Sequence, residues 1–156
     1  MKSLYVGVLV IVAAALSLAP AQSANRQGGD RSKLIGAWHL VHIESSGTNA
    51  DEAGRPQPAG ILIYSQDGHF SVQLMYRQSE HDLNNQYVRE GYEASFGSYD
   101  VDDATHTLTH HVQGSNTGDL IVGKDLPRLY QFAKDGRLII RPAQSDEHWS
   151  VVWERY

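Results

Sequence analysis

The sequence contains no cysteine. That absence excludes disulfide scaffolds, Cys-ligated zinc, iron–sulfur clusters, thiol catalysis and the lipid-bearing cysteine of a bacterial lipoprotein. Basic residues are also scarce. The 13 Lys+Arg against 18 Asp+Glu give a formal net charge of -5 over 156 residues, which argues against a nucleic-acid binder with a basic face. No Gly-x-Ser-x-Gly, Gly-x-x-x-x-Gly-Lys-Ser/Thr or His-Glu-x-x-His run occurs, so three common catalytic signatures are missing. No helix-period run is long enough to cross over between parallel strands. What remains is 41% hydrophobic and 20% charged, the balance of a folded globule of one domain.

The first 24 residues read as an address. Lys2 precedes an apolar run over residues 4–18, followed by Ala19-Pro20-Ala21 and a second small residue at Ala24. A short basic start, an apolar middle and small residues at the end make a secretory signal, cleaved after Ala21 or Ala24. An uncleaved anchor is the rival, but about 15 apolar residues fall short of the ~20 that span a bilayer. The expectation is a secreted or periplasmic protein with no stable membrane anchor after cleavage. Residues 25–32 read as a flexible leader and residues 33–156 as the folded domain.

Within that domain, short segments rich in Val, Ile, Leu, Tyr and Trp predict eight strands, at 37–44, 60–65, 69–76, 95–102, 107–113, 128–134, 137–141 and 149–155. Gln66-Asp67-Gly68 and Lys134-Asp135-Gly136 are tight hairpin turns in which Gly supplies a positive φ at low cost. The stretch 46–58 is a polar loop, 78–90 is a short helix or lid-like connection, and 113–124 is a glycine-bearing rim loop. Consecutive hairpins favour an all-β, eight-stranded antiparallel up-and-down barrel over a two-sheet sandwich, because closure removes exposed edges. At eight strands the interior is either filled or holds one small ligand.

An ordered set of segments goes beyond fold class. Leu34-Ile35-Gly36-Ala37-Trp38 puts a Gly-x-Trp at the opening of the first strand, behind a 3₁₀-like turn. Ala59 to Met75, with Gln66-Asp67-Gly68 at its centre, comes next. Phe96-Gly97-Ser98-Tyr99, Thr109-His110-His111-Val112 and a terminal Trp153-Glu154-Arg155 follow. This ordered set resembles the bacterial and fungal lipocalin-like domain family across essentially the whole mature chain. The resemblance implies a small antiparallel barrel of the calycin kind. It does not imply an activity, since barrels host many functions, and the later lipocalin motifs are not evident here.

Residues two apart on a strand share a face. Alternation therefore turns Trp38, Leu40 and His42 inward on the first strand, and Trp149, Val151, Trp153 and Arg155 on the last. If those strands pair, Arg155 lies across Trp38 and closes the barrel through a cation–π contact. The same rule sends Leu62 and Tyr64, Tyr99 and Val101, Leu108, His110 and Val112, and Arg128, Tyr130 and Phe132 inward. After the Gly68 turn it favours Phe70, Val72, Leu74 and Tyr76. Candidate ligand-binding residues are thus His42, Tyr64, Tyr99, His110, Arg128, Tyr130 and Phe132.

Arg128 carries the most information, because an interior guanidinium costs several kcal/mol unless paired. It is either a clamp for a carboxylate or phosphate, an internal ion pair with Asp100, Glu44 or Glu154, or a rim residue. His110 is a general base, a proton relay or an axial haem ligand, or simply bonds a neighbouring Tyr hydroxyl. Although there are eight histidines, no spacing supports a metal site: His39 and His42 fall on opposite faces of a regular strand. No cofactor is assigned. The leading expectation is an exported barrel that binds a small hydrophobic or amphipathic molecule, an anionic one among the candidates. One alternative is a cofactor-independent isomerase or cyclase using His110 with Tyr99 or Tyr130. The other is a filled barrel serving as an interaction module.

Overall fold

The structure, a computed structural model, describes residues 29–45, 58–76 and 84–156. The signal segment, most of the leader, nearly all of the 46–58 loop and the first half of the 78–90 connection lie outside the described residues. A short helix α1 (Asp30–Leu34) leads into eight strands: β1 (Gly36–Ser45), β2 (Ala59–Tyr64), β3 (His69–Met75), β4 (Tyr92–Asp102), β5 (Thr107–Ser115), β6 (Asp125–Phe132), β7 (Leu138–Pro142) and β8 (Trp149–Arg155). Each pairs antiparallel with the next, and β8 pairs back onto β1 to close the barrel. The expected up-and-down barrel is the observed fold.

Local chemistry explains most of this order. Gly68 and Gly136 turn their hairpins at φ +92° and +87°, conformations that a Cβ would strain. Burial then alternates along the strands: Phe70, Val72 and Leu74 are buried on β3, Leu108, His110 and Val112 on β5, and Leu138 and Ile140 on β7. These are the faces that period-2 alternation assigns. The helix replaces the last residues of the expected flexible leader. Leu34 at its end is fully buried, and burying such a side chain contributes about 2 kcal/mol, enough to hold one helical turn against the barrel floor.

One register differs. Leu40 pairs with Trp153 and His42 with Val152, so Val41 is an extra residue, a β-bulge, in β1. Beyond the bulge the faces change over: His42 points outward, 3.3 Å from Glu44, and Ile43 takes the inward position opposite Val151. The expected interior place of His42 is therefore corrected. So is its opposition to His39, which also faces outward, 3.7 Å from Glu154. Among the described residues no group of three or more His, Asp or Glu is placed to hold a metal ion.

Two strand starts also move. β4 begins three residues before the expected Ser95, and β6 begins at Asp125 rather than Arg128. Pro127 is tolerated in β6 because its neighbour β7 ends at Pro142, so its missing N–H removes no rung of the ladder; Ala143 N–H still donates to the Pro127 carbonyl, at 3.3 Å.

A second bulge, at Gln113 of β5, sits opposite Phe96 and Gly97. A Cβ at Gly97 would collide with the His111 carbonyl oxygen and lie 3.0 Å from the Gln113 nitrogen. Both are backbone atoms that cannot swing away. Gly97→Ala should therefore cost about 1–3 kcal/mol, the usual overpacking range, read from the urea midpoint. A variant as stable as wild type would show that the bulge is free to move.

Candidate functional site

The closed end of the barrel is filled. Arg155 lies 4.3 Å over the Trp38 ring and donates to the Ile35 and Lys33 carbonyls, tying β8 to the end of α1. The Trp38 indole N–H donates to the Leu34 carbonyl at 2.8 Å. Tyr99, Tyr130 and Phe132 belong to this plug. The Tyr99 hydroxyl donates to the Ser65 carbonyl and the Arg31 guanidinium covers its ring. The Tyr130 hydroxyl sits between Asp30 and Asp103, at 3.2 and 3.3 Å, and Phe132 packs on Trp38. Asp30, Asp103 and burial together push the Tyr130 phenol well above its usual range, burial most of all.

Above the plug the described residues enclose a cavity of about 150 Å³. Its walls are apolar, from Leu62, Val72, Leu74, Leu126, Ile140 and Val151, with Trp153 beside them. Polar side chains also face it, among them Glu93, Ser95, His110 and Arg128, with Tyr76, Asn85 and Tyr87 beside them. Of the seven residues assigned to a ligand from sequence, His110 and Arg128 line this chamber. Tyr64 supports it from behind, Tyr99, Tyr130 and Phe132 sit in the plug, and His42 is outside.

Arg128 is 5% exposed. Its guanidinium lies between two aromatic faces, 5.1 Å from Tyr87 and 4.8 Å from Trp149, and 3.8 Å from Glu147. The Tyr87 hydroxyl and the Trp149 indole N–H each donate to the same carboxylate at 2.8 Å. So the partner is Glu147, and not Asp100, Glu44 or Glu154. A guanidinium has five N–H donors. An ion pair at 3.8 Å and a 3.5 Å bond to the Pro127 carbonyl leave it incompletely satisfied by protein.

His110 forms the floor. Its Nε2 lies 2.8 Å from the Tyr64 hydroxyl, and its ring stacks on Phe70 with centroids 4.0 Å apart. Burial, and then the charges of Arg128 and His111, pull its pKa down to about 3, so the imidazole is neutral near pH 7. Its bonded tyrosine is Tyr64, and not Tyr99 or Tyr130, the partners that the isomerase or cyclase alternative named. His111 faces the outside, held between Asp100 and Asp125 at 3.0 and 2.6 Å.

A pH dependence follows from His110. Between about pH 6.5 and about 3 the unfolded chain binds a proton there that the folded chain refuses, so stability falls as pH drops through that window. His110→Gln, which still accepts from Tyr64, should flatten the decline. Urea unfolding of both proteins at pH 7, 5.5 and 4 tests this, and parallel slopes would reject the assignment.

Three residues here escaped the sequence reading: Glu93, Tyr87 and Glu147. Extending the Tyr99 alternation back through Gly97 and Ser95 would have found Glu93. Tyr87 and Glu147 lie on connections with no periodicity to read.

Eight antiparallel strands closed round an internal chamber, with a helix-capped floor, define the class of this protein: a small up-and-down β-barrel. The sequence profile of the lipocalin-like domain matches residues 35–156, and the chain belongs to that family. No curated protein matches the chain. Among solved structures it is similar to a point mutant of the fluorescent protein UnaG, with 13% identity, a TM-score of 0.41, and coverage of 80% of this chain and 97% of that one.

Proposed function

We propose that this barrel binds one small hydrophobic or amphipathic molecule inside the chamber, with Arg128 orienting the polar end. The observation that carries this is the cavity itself: apolar walls enclosing about 150 Å³, with an incompletely satisfied guanidinium on its lining. Apolar walls with sparse orienting groups are what small-molecule sites share. The volume is below the roughly 300–1,000 Å³ of drug-sized sites and suits a single ring, since a cavity of about 150 Å³ takes up benzene. We further propose that the protein is exported, on the strength of Lys2, the apolar run 4–18 and Ala19-Pro20-Ala21.

A thermal-shift screen of the purified protein against one-ring acids, amides, amines and hydrocarbons, paired with native mass spectrometry, tests the binding reading. A true ligand at about 100 times its Kd adds roughly 2.7 kcal/mol, a shift of several degrees. Across the whole panel, no shift and no co-purifying species would overturn it. Signal-cleaved protein outside the cytoplasm, found by fractionation and N-terminal sequencing, tests export.

A further inference from the structure

Glu93 is a half-buried ionisable group that the reading above leaves unused. It stands on β4 opposite Leu74 of β3 and lines the chamber. Among the described residues no hydrogen bond reaches its carboxyl. The other titratable or charged groups around the chamber are Arg128 from β6, His110 from β5 with Tyr64 of β2 behind it, Tyr76 after β3, Tyr87, and Glu147 through Arg128. From β1, β7 and β8 come only Ile43, Ile140, Val151, Trp149 and Trp153.

These groups present hydrogen-bond donors. Burial raises Glu93 to about 7, against the smaller opposing pull of Arg128, so near neutrality it spends much of its time as a carboxylic acid with an O–H to give. The Tyr64 phenol, fully buried, finds its partner in His110 Nε2. Donating there satisfies its proton and leaves the imidazole hydrogen on Nδ1. Arg128 adds guanidinium N–H groups, and its positive charge acts on Tyr64, Glu93 and His110 alike. A donor-rich chamber with a guanidinium on its lining calls for an occupant with acceptor oxygens.

We infer that the chamber takes up a small monocarboxylate together with one proton, the ligand carboxylate being held by the Arg128 guanidinium and the carboxylic acid of Glu93. The inference rests on the binding reading above. No covalent bond changes. In acid the proton already resides on Glu93, in base it is drawn from water as the ligand enters, and it returns to water when the ligand leaves. A benzoate-sized acid matches the space.

Titration calorimetry of the full chain with benzoate, benzamide and benzylamine from pH 5.5 to 8.5 tests this. Benzoate should bind most tightly of the three at pH 6, and its affinity should fall by close to tenfold per unit above pH 7, as one coupled proton requires. At pH 8, runs in two buffers of different ionisation heat should show about one proton taken up per benzoate. In Glu93→Gln, whose amide donates at every pH, the slope and the proton uptake should vanish, with affinity at pH 8 within a few-fold of wild type at pH 6. If that variant does not fold, the wild-type proton count decides alone. A flat benzoate affinity, a slope that survives in Glu93→Gln, or tighter binding of benzamide or benzylamine would overturn the inference while leaving the binding reading standing. Rejection of all three probes, and of the wider screen, would remove both.

Discussion

Replacing Arg128 by Met should destabilise the protein by about 3 kcal/mol, the lower end of what is lost when one partner of a buried ion pair is removed. Methionine fills much of the space and the cost of burying a cation disappears, yet Glu147 remains. Its side chain is only 13% exposed, and its charge then lacks the cation that balances it. The Tyr87 and Trp149 donors soften the loss without cancelling it. They lie at 2.8 Å and stay bonded to the carboxylate, which places the effect at the low end. The double variant Arg128→Met/Glu147→Gln should recover most of the stability, because neither charge is then stranded. Urea unfolding of the four proteins in the cycle measures the coupling directly. If the double variant is no more stable than Arg128→Met, then the aromatic faces and not the carboxylate hold the guanidinium.

Trp38→Ala should cost about 3–5 kcal/mol, the range for emptying a buried aromatic site. Against the roughly 5–15 kcal/mol that hold a typical domain together, this leaves a large unfolded fraction at 37 °C. The residue is 1% exposed and three structures meet on it: the end of α1 through the Leu34 carbonyl, β8 through Arg155 and β6 through Phe132. Loss of the ring also loosens the β1–β8 seam, and an open seam exposes two strand edges to aggregation. Trp38→Phe keeps most of the packing and the cation–π surface and removes the N–H, so it should cost about 1–2 kcal/mol. Hydrogen exchange on β1 and β8 amides is the discriminating measurement. Exchange accelerated evenly over all eight strands would show that Trp38 supports the whole core and not the seam.

Much of this was legible in the sequence because strands write their faces in a period of two. Phe70, Val72 and Leu74, or Leu108, His110 and Val112, name an inner wall before any coordinates exist, and Asp67-Gly68 and Asp135-Gly136 name the turns between them. Closure was readable too, from the apolar Trp38 on the first strand and Trp153-x-Arg155 on the last. The chamber's chemistry was less so. Glu147 and Tyr87 reach Arg128 from connections, where position is set by what the segment packs against and leaves no pattern in the order of residues. Glu93 was hidden by a strand that starts earlier than its apolar residues do, and Gly91, at φ +75°, is the better marker of that start. Volume is the least legible property, since side chains that line a cavity and side chains that fill one obey the same alternation.

The Val41 bulge gives β1 one residue of slack. At a regular position in a closed ring of paired strands, losing a single residue inverts every side chain beyond the loss. At Val41 a deletion would straighten the strand and leave Trp38, Leu40 and Ile43 facing in, with His39, His42 and Glu44 facing out. This wall can be shortened without being rewritten.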